Sequence, residues 1–412
     1  MLATRLAPGL WGSARPMSGT ESLLLALFII FSLPYLVWRI LRIDPWAPLA
    51  IVQIVGGVVL GPGIAGALMP GLHQAIFTPG TVGALSAIAN WAVMIFVFLA
   101  GCELELHEAW AERRDAATTA VSALATPLLF GIAAALILLA FGGQWAGGSG
   151  AIWQVVLGTG MACAVTALPI LVLLLEKLNI LRTPFGQRIL RYASLDDLAI
   201  WGVLAAILLD WERLAFQLGF VGLFAVAVPI YRRGMVMLDE QDRWALALLW
   251  LLLCGFGADY AGLHFMVGAF LAGAASERKW FSVERFDQLR YAVLLAFMPV
   301  FFLSTGLKTS WHMGGITIIA AAALLLVASV GGKLAGVGLA AYMLRWPKGQ
   351  ALAIGWLLQT KALIMIIFAN VLLDKAIISS ELFTALLLMA VASTALTIPM
   401  VRPRLTQSVV LD

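Results

Sequence analysis

ILRYASLDDLAIWGVLAAIL, residues 189–208, is long and apolar enough to be a membrane helix, yet it holds two adjacent carboxylates, Asp196 and Asp197. An ionised carboxylate at the centre of a bilayer helix costs roughly 2.5–3.5 kcal/mol on insertion scales. Two in succession are unlikely to be accidental, and acids inside a membrane usually mark an ion or proton path. The plainer alternative is a buried pair satisfied by its neighbours. This stretch sets both the class of fold and the place where chemistry is expected.

The rest of the chain fits that reading. It is 62% hydrophobic and only 12% charged, whereas about a quarter of the residues in soluble domains are charged. Apolar runs able to cross a ~30 Å hydrocarbon core occur at 22–40, 46–66, 84–103, 116–142, 152–177, 188–209, 216–232, 242–260, 262–276, 288–307, 314–344, 348–373 and 380–401. The alternation of a transmembrane barrel is absent. The expected fold is an all-α polytopic membrane protein of about 13 transmembrane helices. Residues 1–21 are expected to form an N-terminal tail, 22–401 a single transmembrane domain and 402–412 a short cytoplasmic tail, and no soluble regulatory domain is expected in this chain. No small-residue cleavage site follows the first span, which reads as retained rather than as a signal peptide. Cys102, Cys163 and Cys254 lie in or beside apolar runs, with no CxxC spacing, so neither disulfides nor a cofactor is expected. The net charge of +4 comes mostly from loop Lys and Arg and points to membrane orientation, not nucleic acid.

Positive residues orient the chain. Of the 26 Lys and Arg, 19 fall in the loops after odd-numbered spans or within about four residues of them, and 5 in the N-terminal tail and the loops after even spans. The remaining two, Lys333 and Lys361, lie deep inside spans. The bias is read as placing the odd loops in the cytoplasm, the N-terminus outside and the C-terminus inside; the membrane is expected to be a bacterial inner (plasma) membrane. The 233–243 connection, rich in both signs of charge, is expected to be solvated.

Thirteen spans divide as six, one and six, an inverted repeat of 22–209 and 242–401 about a linker span at 216–232. FVFLAGCEL at 96–104 resembles VFFLSTGL at 300–307, and TALPIL at 166–171 resembles TKALIM at 360–365. Inverted-repeat transporters place broken helices and their ion site near the midplane. Span 5 carries Thr166 and Pro169, and proline both lacks an N–H and clashes with the carbonyl four residues back. Span 12 carries Gln359, Thr360 and Lys361 at its centre. Two broken, crossing helices are therefore expected.

Asp196 and Asp197 point about 100° apart on a helix, so one can hold a structural partner while the other faces a cavity. Lys333, beside Gly331 and Gly332, is the natural partner, the two glycines allowing close helix approach. It lies about eleven residues, or ~16 Å at 1.5 Å each, from the cytoplasmic end, too far for easy snorkelling. Two adjacent carboxylates and an ammonium share one small region, so the three groups are expected to act as a coupled set. Lys361 is expected to neutralise carbonyls freed by the break. His264 reads as a hydrogen-bonded structural residue. Asp210, Asp259, Glu103 and Glu105 read as solvated edges.

The stretch 165–201, VTALPILVLLLEKLNILRTPFGQRILRYASLDDLAIW, resembles the crossover segment and acidic helix of the cation:proton antiporter 2 family, sodium/proton exchanger-like proteins. GGVVLGPGIAG (56–66), GLHFMVGAFLAG (262–273), FFLSTGLK (301–308) and QTKALI (359–364) are further resemblances, in order, over nearly all the spans. The resemblance implies dimerisation and core domains, a homodimer, and elevator-type alternating access exchanging Na⁺ or K⁺ for protons. It implies that Asp197 binds the monovalent cation or proton, that Asp196 pairs with Lys333, and that Thr166 and Thr360 lie where the broken helices cross. An Asp-Asp pair is associated in the wider fold with electrogenic exchange. The chain departs from the family at Ala362, where glycine is usual, at Met365, where an acid is frequent, and at Leu173, where a basic residue is common. Arg188 and Arg191 add positive charge near the acids.

Two other classes compete. A cation channel or uncoupled membrane sensor would use the same fold. An intramembrane aspartyl enzyme needs two carboxylates facing across a cleft, which adjacent residues on one helix supply poorly. No GxSxG or HExxH motif offers another enzyme.

Overall fold

The computed structural model describes residues 17–43, 49–103, 113–142, 144–181, 183–209, 213–309, 315–347 and 349–405. In chain order the helices are α1 (Gly19–Ile40), α2 (Leu49–Leu60), the short α3 (Ala65–Leu68) and α4 (Pro70–Ile76), α5 (Pro79–Cys102) and α6 (Arg113–Ala140). Then follow α7 (Ile152–Ala164), α8 (Leu168–Lys177), α9 (Pro184–Ile207), α10 (Leu214–Met237), α11 (Glu240–Tyr260) and α12 (Phe265–Ala274). The last six are α13 (Val283–Ala292), α14 (Met298–Leu307), α15 (Gly315–Leu344), α16 (Gln350–Leu357), α17 (Ala362–Asp374) and α18 (Ser380–Val401). A π-helical stretch, Val293–Phe297, joins α13 to α14. Among the described residues the only β pairing is an isolated bridge between Ala146 and Ile378.

The molecule is an all-helical, integral membrane protein. Nine helical segments among the described residues are long and apolar enough to cross a membrane, and Ile152–Ala164, Phe265–Ala274 and Leu363–Asp374 are shorter apolar helices. Every one of the thirteen expected ranges holds helix. Several boundaries move for local reasons. The 233–243 connection is mostly helix: α10 runs to Met237, and Asp239 caps α11 by accepting from the Asp242 N–H at 3.0 Å. Only residues 238 and 239 separate the two. Span 10 gains the polar helix α13 ahead of its apolar part.

Two groups of helices pack together. α6 lies along α15 and α7, α15 also meets α16 and α18, and α17 meets α18. In the second group α5 packs on α12 and α14, α14 on α2, α2 on α1, and α12 on α11. α9 touches both, and its Trp201 stacks on Phe270 of α12 at 5.0 Å. The α6–α15 seam is close because Gly332 has no side chain: a Cβ there would sit 2.5 Å from the Pro127 Cα. Gly331 faces open space, so of the two glycines beside Lys333 only Gly332 permits the approach.

α9 begins where the sequence says it should. Thr183 accepts from the Gly186 N–H at 3.1 Å, and Pro184 occupies the first helical position, where its missing N–H costs nothing. That start fixes the depth of Asp196 and Asp197 within the bundle. The far end is closed by the Gln217 amide, which donates to the Leu208 carbonyl at 3.1 Å.

Candidate functional site

The first interruption lies just upstream of Pro169. α7 stops at Ala164, residues 165–167 are not helical, and α8 starts at Leu168, so the proline sits in the first turn of the second half. Residue 169 has no N–H to offer the Val165 carbonyl four positions back. That carbonyl is met from the other broken helix: the Lys361 ammonium donates to Val165 O at 2.9 Å and to Cys163 O at 2.6 Å. The second interruption separates α16, ending at Leu357, from α17, starting at Ala362. The two breaks touch, with the Ala167 N–H donating to Thr360 O at 2.5 Å.

Lys361, with no exposed surface, holds the carbonyl end of α7, where the helix dipole is negative. Its own N–H donates to the Thr394 hydroxyl at 3.1 Å, which pins the break to α18. Cys163 O also accepts from the Ser329 hydroxyl at 3.0 Å, and that hydroxyl accepts from the Gln359 amide at 2.7 Å.

Asp196 reaches this crossing from α9. Its Oδ2 lies 2.9 Å from the Lys333 ammonium and 2.6 Å from the Thr166 hydroxyl. Thr166 is also 2.7 Å from Leu358 O, so its one proton serves either the carboxylate or the second break. The Thr166 oxygen accepts from Lys333 at 3.1 Å. Asp196 is 1% exposed, and Lys333 and Thr166 have no exposed surface. The other carboxylate oxygen, Oδ1, is buried with no hydrogen-bond partner among the described residues.

The structure thus brings together Asp196, Lys333, Thr166, Thr360 and Lys361. Asp197 is the next residue of α9, turned by about 100°. Its side chain, like those of Pro169, Leu173 and Ala362, lies outside the described ones. Ser329, Gln359 and Thr394 join the cluster without having been singled out as site residues. Ser329 carried a signal: it precedes Lys333 by four, the spacing that puts two side chains on one helix face.

The peripheral groups are placed as follows. His264 caps α12, its Nδ1 accepting from the Met266 N–H at 3.4 Å. Glu103 pairs with Arg290, and Asp259 is exposed. Asp210 and Glu105 lie outside the described residues. The Arg188 guanidinium donates to Gln350 Oε1 at 2.5 Å and stands 5.1 Å over the Trp346 ring, tying the start of α9 to the start of α16.

The sodium/hydrogen exchanger transmembrane family model matches residues 24–403, nearly the whole chain. The chain belongs to the sodium/hydrogen exchanger family. Exchanger-family relatives include Cation/H(+) antiporter 20 of Arabidopsis thaliana, 28% identical over 389 residues, covering 86% of this chain and 45% of the relative. The chain thus spans about half the length of such plant relatives. Na(+)/H(+) antiporter NhaS4 of Synechocystis is 27% identical over 371 residues, covering 86% of this chain and 90% of that protein. The sodium proton antiporter MjNhaP1 of Methanocaldococcus jannaschii superposes with a TM-score of 0.57 at 13% identity, over 93% of this chain and 96% of that one. That likeness concerns the fold alone. The family and these relatives are transporters rather than enzymes, which removes the intramembrane aspartyl protease reading.

Proposed function

We propose that the protein is a secondary antiporter that exchanges a monovalent cation, Na⁺ or K⁺, for protons by elevator-type alternating access. The observation that carries this reading is a carboxylate buried at the contact between two broken helices, held there by a buried lysine 2.9 Å away. A carboxylate beside such an ion pair attracts either a proton or a cation, and the two compete for it. Binding of one then requires release of the other, which is the chemical content of antiport. Asp197 is assigned the cation and proton, and Asp196 the pairing with Lys333. The Lys361 ammonium supports the break by occupying the α7 carbonyls, which keeps the crossing intact while the carboxylates change charge.

The larger frame of the proposal is thirteen crossings in a six-one-six inverted repeat, in a homodimer, with the N-terminus outside. The broken helices α7–α8 and α16–α17, seven spans apart in the sequence, support the repeat. The named activities of the plant and cyanobacterial relatives support the exchange.

The test is direct. Purified protein in proteoliposomes with a trapped pH dye is exposed to Li⁺, Na⁺, K⁺ and Rb⁺ in turn. Dequenching that depends on the cation supports exchange. A proton leak indifferent to every cation, or cation flux without proton movement, defeats it.

A further inference from the structure

We infer that the side-chain oxygen of Gln359 is a ligand for the transported cation and helps set which alkali ion is taken. The inference rests on the exchange reading and adds to it a residue outside the acidic pair.

The amide's orientation follows from its neighbours. The Ser329 hydroxyl has one proton and lies 3.0 Å from Cys163 O, an acceptor that cannot donate in return. With its proton placed there, Ser329 Oγ can only accept, so the group 2.7 Å from it must be the Gln359 nitrogen. The carbonyl end of the amide is therefore the free end. Gln359 Oε1 is buried and has no hydrogen-bond partner among the described residues, in a side chain only 1% exposed.

A buried acceptor left unpaired costs about 1–3 kcal/mol. Anchorage of the helix break does not require it. The amide nitrogen does that through Ser329, and the main-chain oxygen of Gln359 accepts from Ser393 at 3.3 Å. An oxygen retained there is matched to something that needs acceptors and offers none, which describes a dehydrated alkali cation.

Position favours the same reading. Gln359 stands between Leu358, whose carbonyl meets Thr166, and Thr360, whose carbonyl meets Ala167. It is therefore one residue from both contacts between the breaks, and Thr166, which meets the carbonyl of the neighbouring Leu358, also meets Asp196. Carbonyl oxygens replace hydration shells in ion-selective sites, and their number and field strength decide between alkali ions. A neutral amide oxygen lowers the field strength of a site otherwise built from carboxylates, and so favours the larger ions.

The experiment compares Gln359→Leu with Ser329→Ala. For each purified protein, the melting temperature is followed against Li⁺, Na⁺, K⁺ and Rb⁺ concentration, and cation-driven proton flux is measured in proteoliposomes. Gln359→Leu is expected to raise the half-saturating cation concentration about tenfold, the effect of ~1.4 kcal/mol, and to change the order of preference. Ser329→Ala removes the anchor but keeps the oxygen, and is expected to preserve the order. An unchanged order and half-saturation in Gln359→Leu overturns the inference, and so does an identical response of the two variants, which would mark a structural role. If Gln359→Leu does not fold, Gln359→Asn withdraws the oxygen by one methylene, and unaltered selectivity there overturns it equally. Failure of the wild type to couple cations to protons would sink the exchange reading instead, a result distinct from either.

Discussion

Removing the Lys333 ammonium would leave Asp196 ionised, buried and held only by the Thr166 hydroxyl. Breaking a buried pair from one side typically costs ~3–5 kcal/mol. Lys333→Ala should therefore lower the melting temperature, and adding Asp196→Asn should restore part of the loss. Additive shifts in the double variant would contradict a coupled pair. Asp197 is expected to behave differently: Asp197→Asn should abolish cation-dependent proton flux while the protein stays folded and monodisperse. Normal exchange by that variant would remove Asp197 from the proposed site. The charged members of the cluster were legible in the sequence because an ionisable group inside an apolar run is costly and hence conspicuous. Ser329 and Thr394 were less so, because a small hydroxyl is inconspicuous in an apolar helix; only the four-residue spacing of Ser329 from Lys333 pointed to a shared face. Gln359 was visible as a polar residue at a break, but nothing local told which end of its amide would be free.

The helices themselves show a similar division. Apolar runs located the long helical segments, since a membrane interior demands that backbone groups be paired within the segment, but not the short α4 or the polar start of α13. They did not locate the breaks to the residue. Pro169 signalled an interruption, yet the chain leaves the helix at 165–167 and re-enters it before the proline. The deciding factor is tertiary: Lys361 and Thr360 satisfy the groups that the break sets free. Span 12 has no proline, and its interruption at 358–361 was inferred only from polar residues and a weak repeat. The glycine pair beside Lys333 makes the same point and is testable. A Cβ at Gly332 meets the Pro127 backbone, whereas one at Gly331 meets nothing within 4 Å. Gly332→Val should destabilise the α6–α15 seam by about 1–3 kcal/mol, the usual cost of overpacking. Gly331→Ala should be neutral or stabilising by up to ~1 kcal/mol, the helix-propensity gain. Thermal unfolding of the two variants in detergent reads the contrast, and equal losses would mean that the seam is not as close as the structure has it.

At the scale of the whole molecule, the positive-charge bias carries orientation and the acidic pair carries electrical consequence. A phosphatase fused to the C-terminus should be inactive outside the cell, and activity there would contradict thirteen crossings with an external N-terminus. Voltage follows from stoichiometry. If both Asp197 and the Asp196–Lys333 pair change protonation during the cycle, two protons exchange for one monovalent cation and one net charge moves per turnover. A 100 mV potential then biases the step by about 2.3 kcal/mol. One pH unit supplies ~1.4 kcal/mol per proton, so the membrane potential is a driving force of comparable size. The opposing case has Asp196 fixed against Lys333 at 2.9 Å while only Asp197 cycles, which gives electroneutral one-for-one exchange. Electrogenic exchange requires that pair to open; Thr166, whose single proton serves either Asp196 or Leu358 O, would have to give, and Asp196 Oδ1 has no hydrogen-bond partner among the described residues. With Asp196 ionised against Lys333, the second proton is the one carried by the ammonium: a cation that displaces the ammonium leaves it free to lose that proton, and two protons then leave for one cation. Recordings on proteoliposomes adsorbed to a solid-supported membrane separate the cases. A cation jump should produce a transient current whose sign reverses with the direction of the cation gradient and which is absent in Asp197→Asn. Proton flux of normal size with no accompanying current would establish electroneutral exchange and confine Asp196 to its pairing with Lys333.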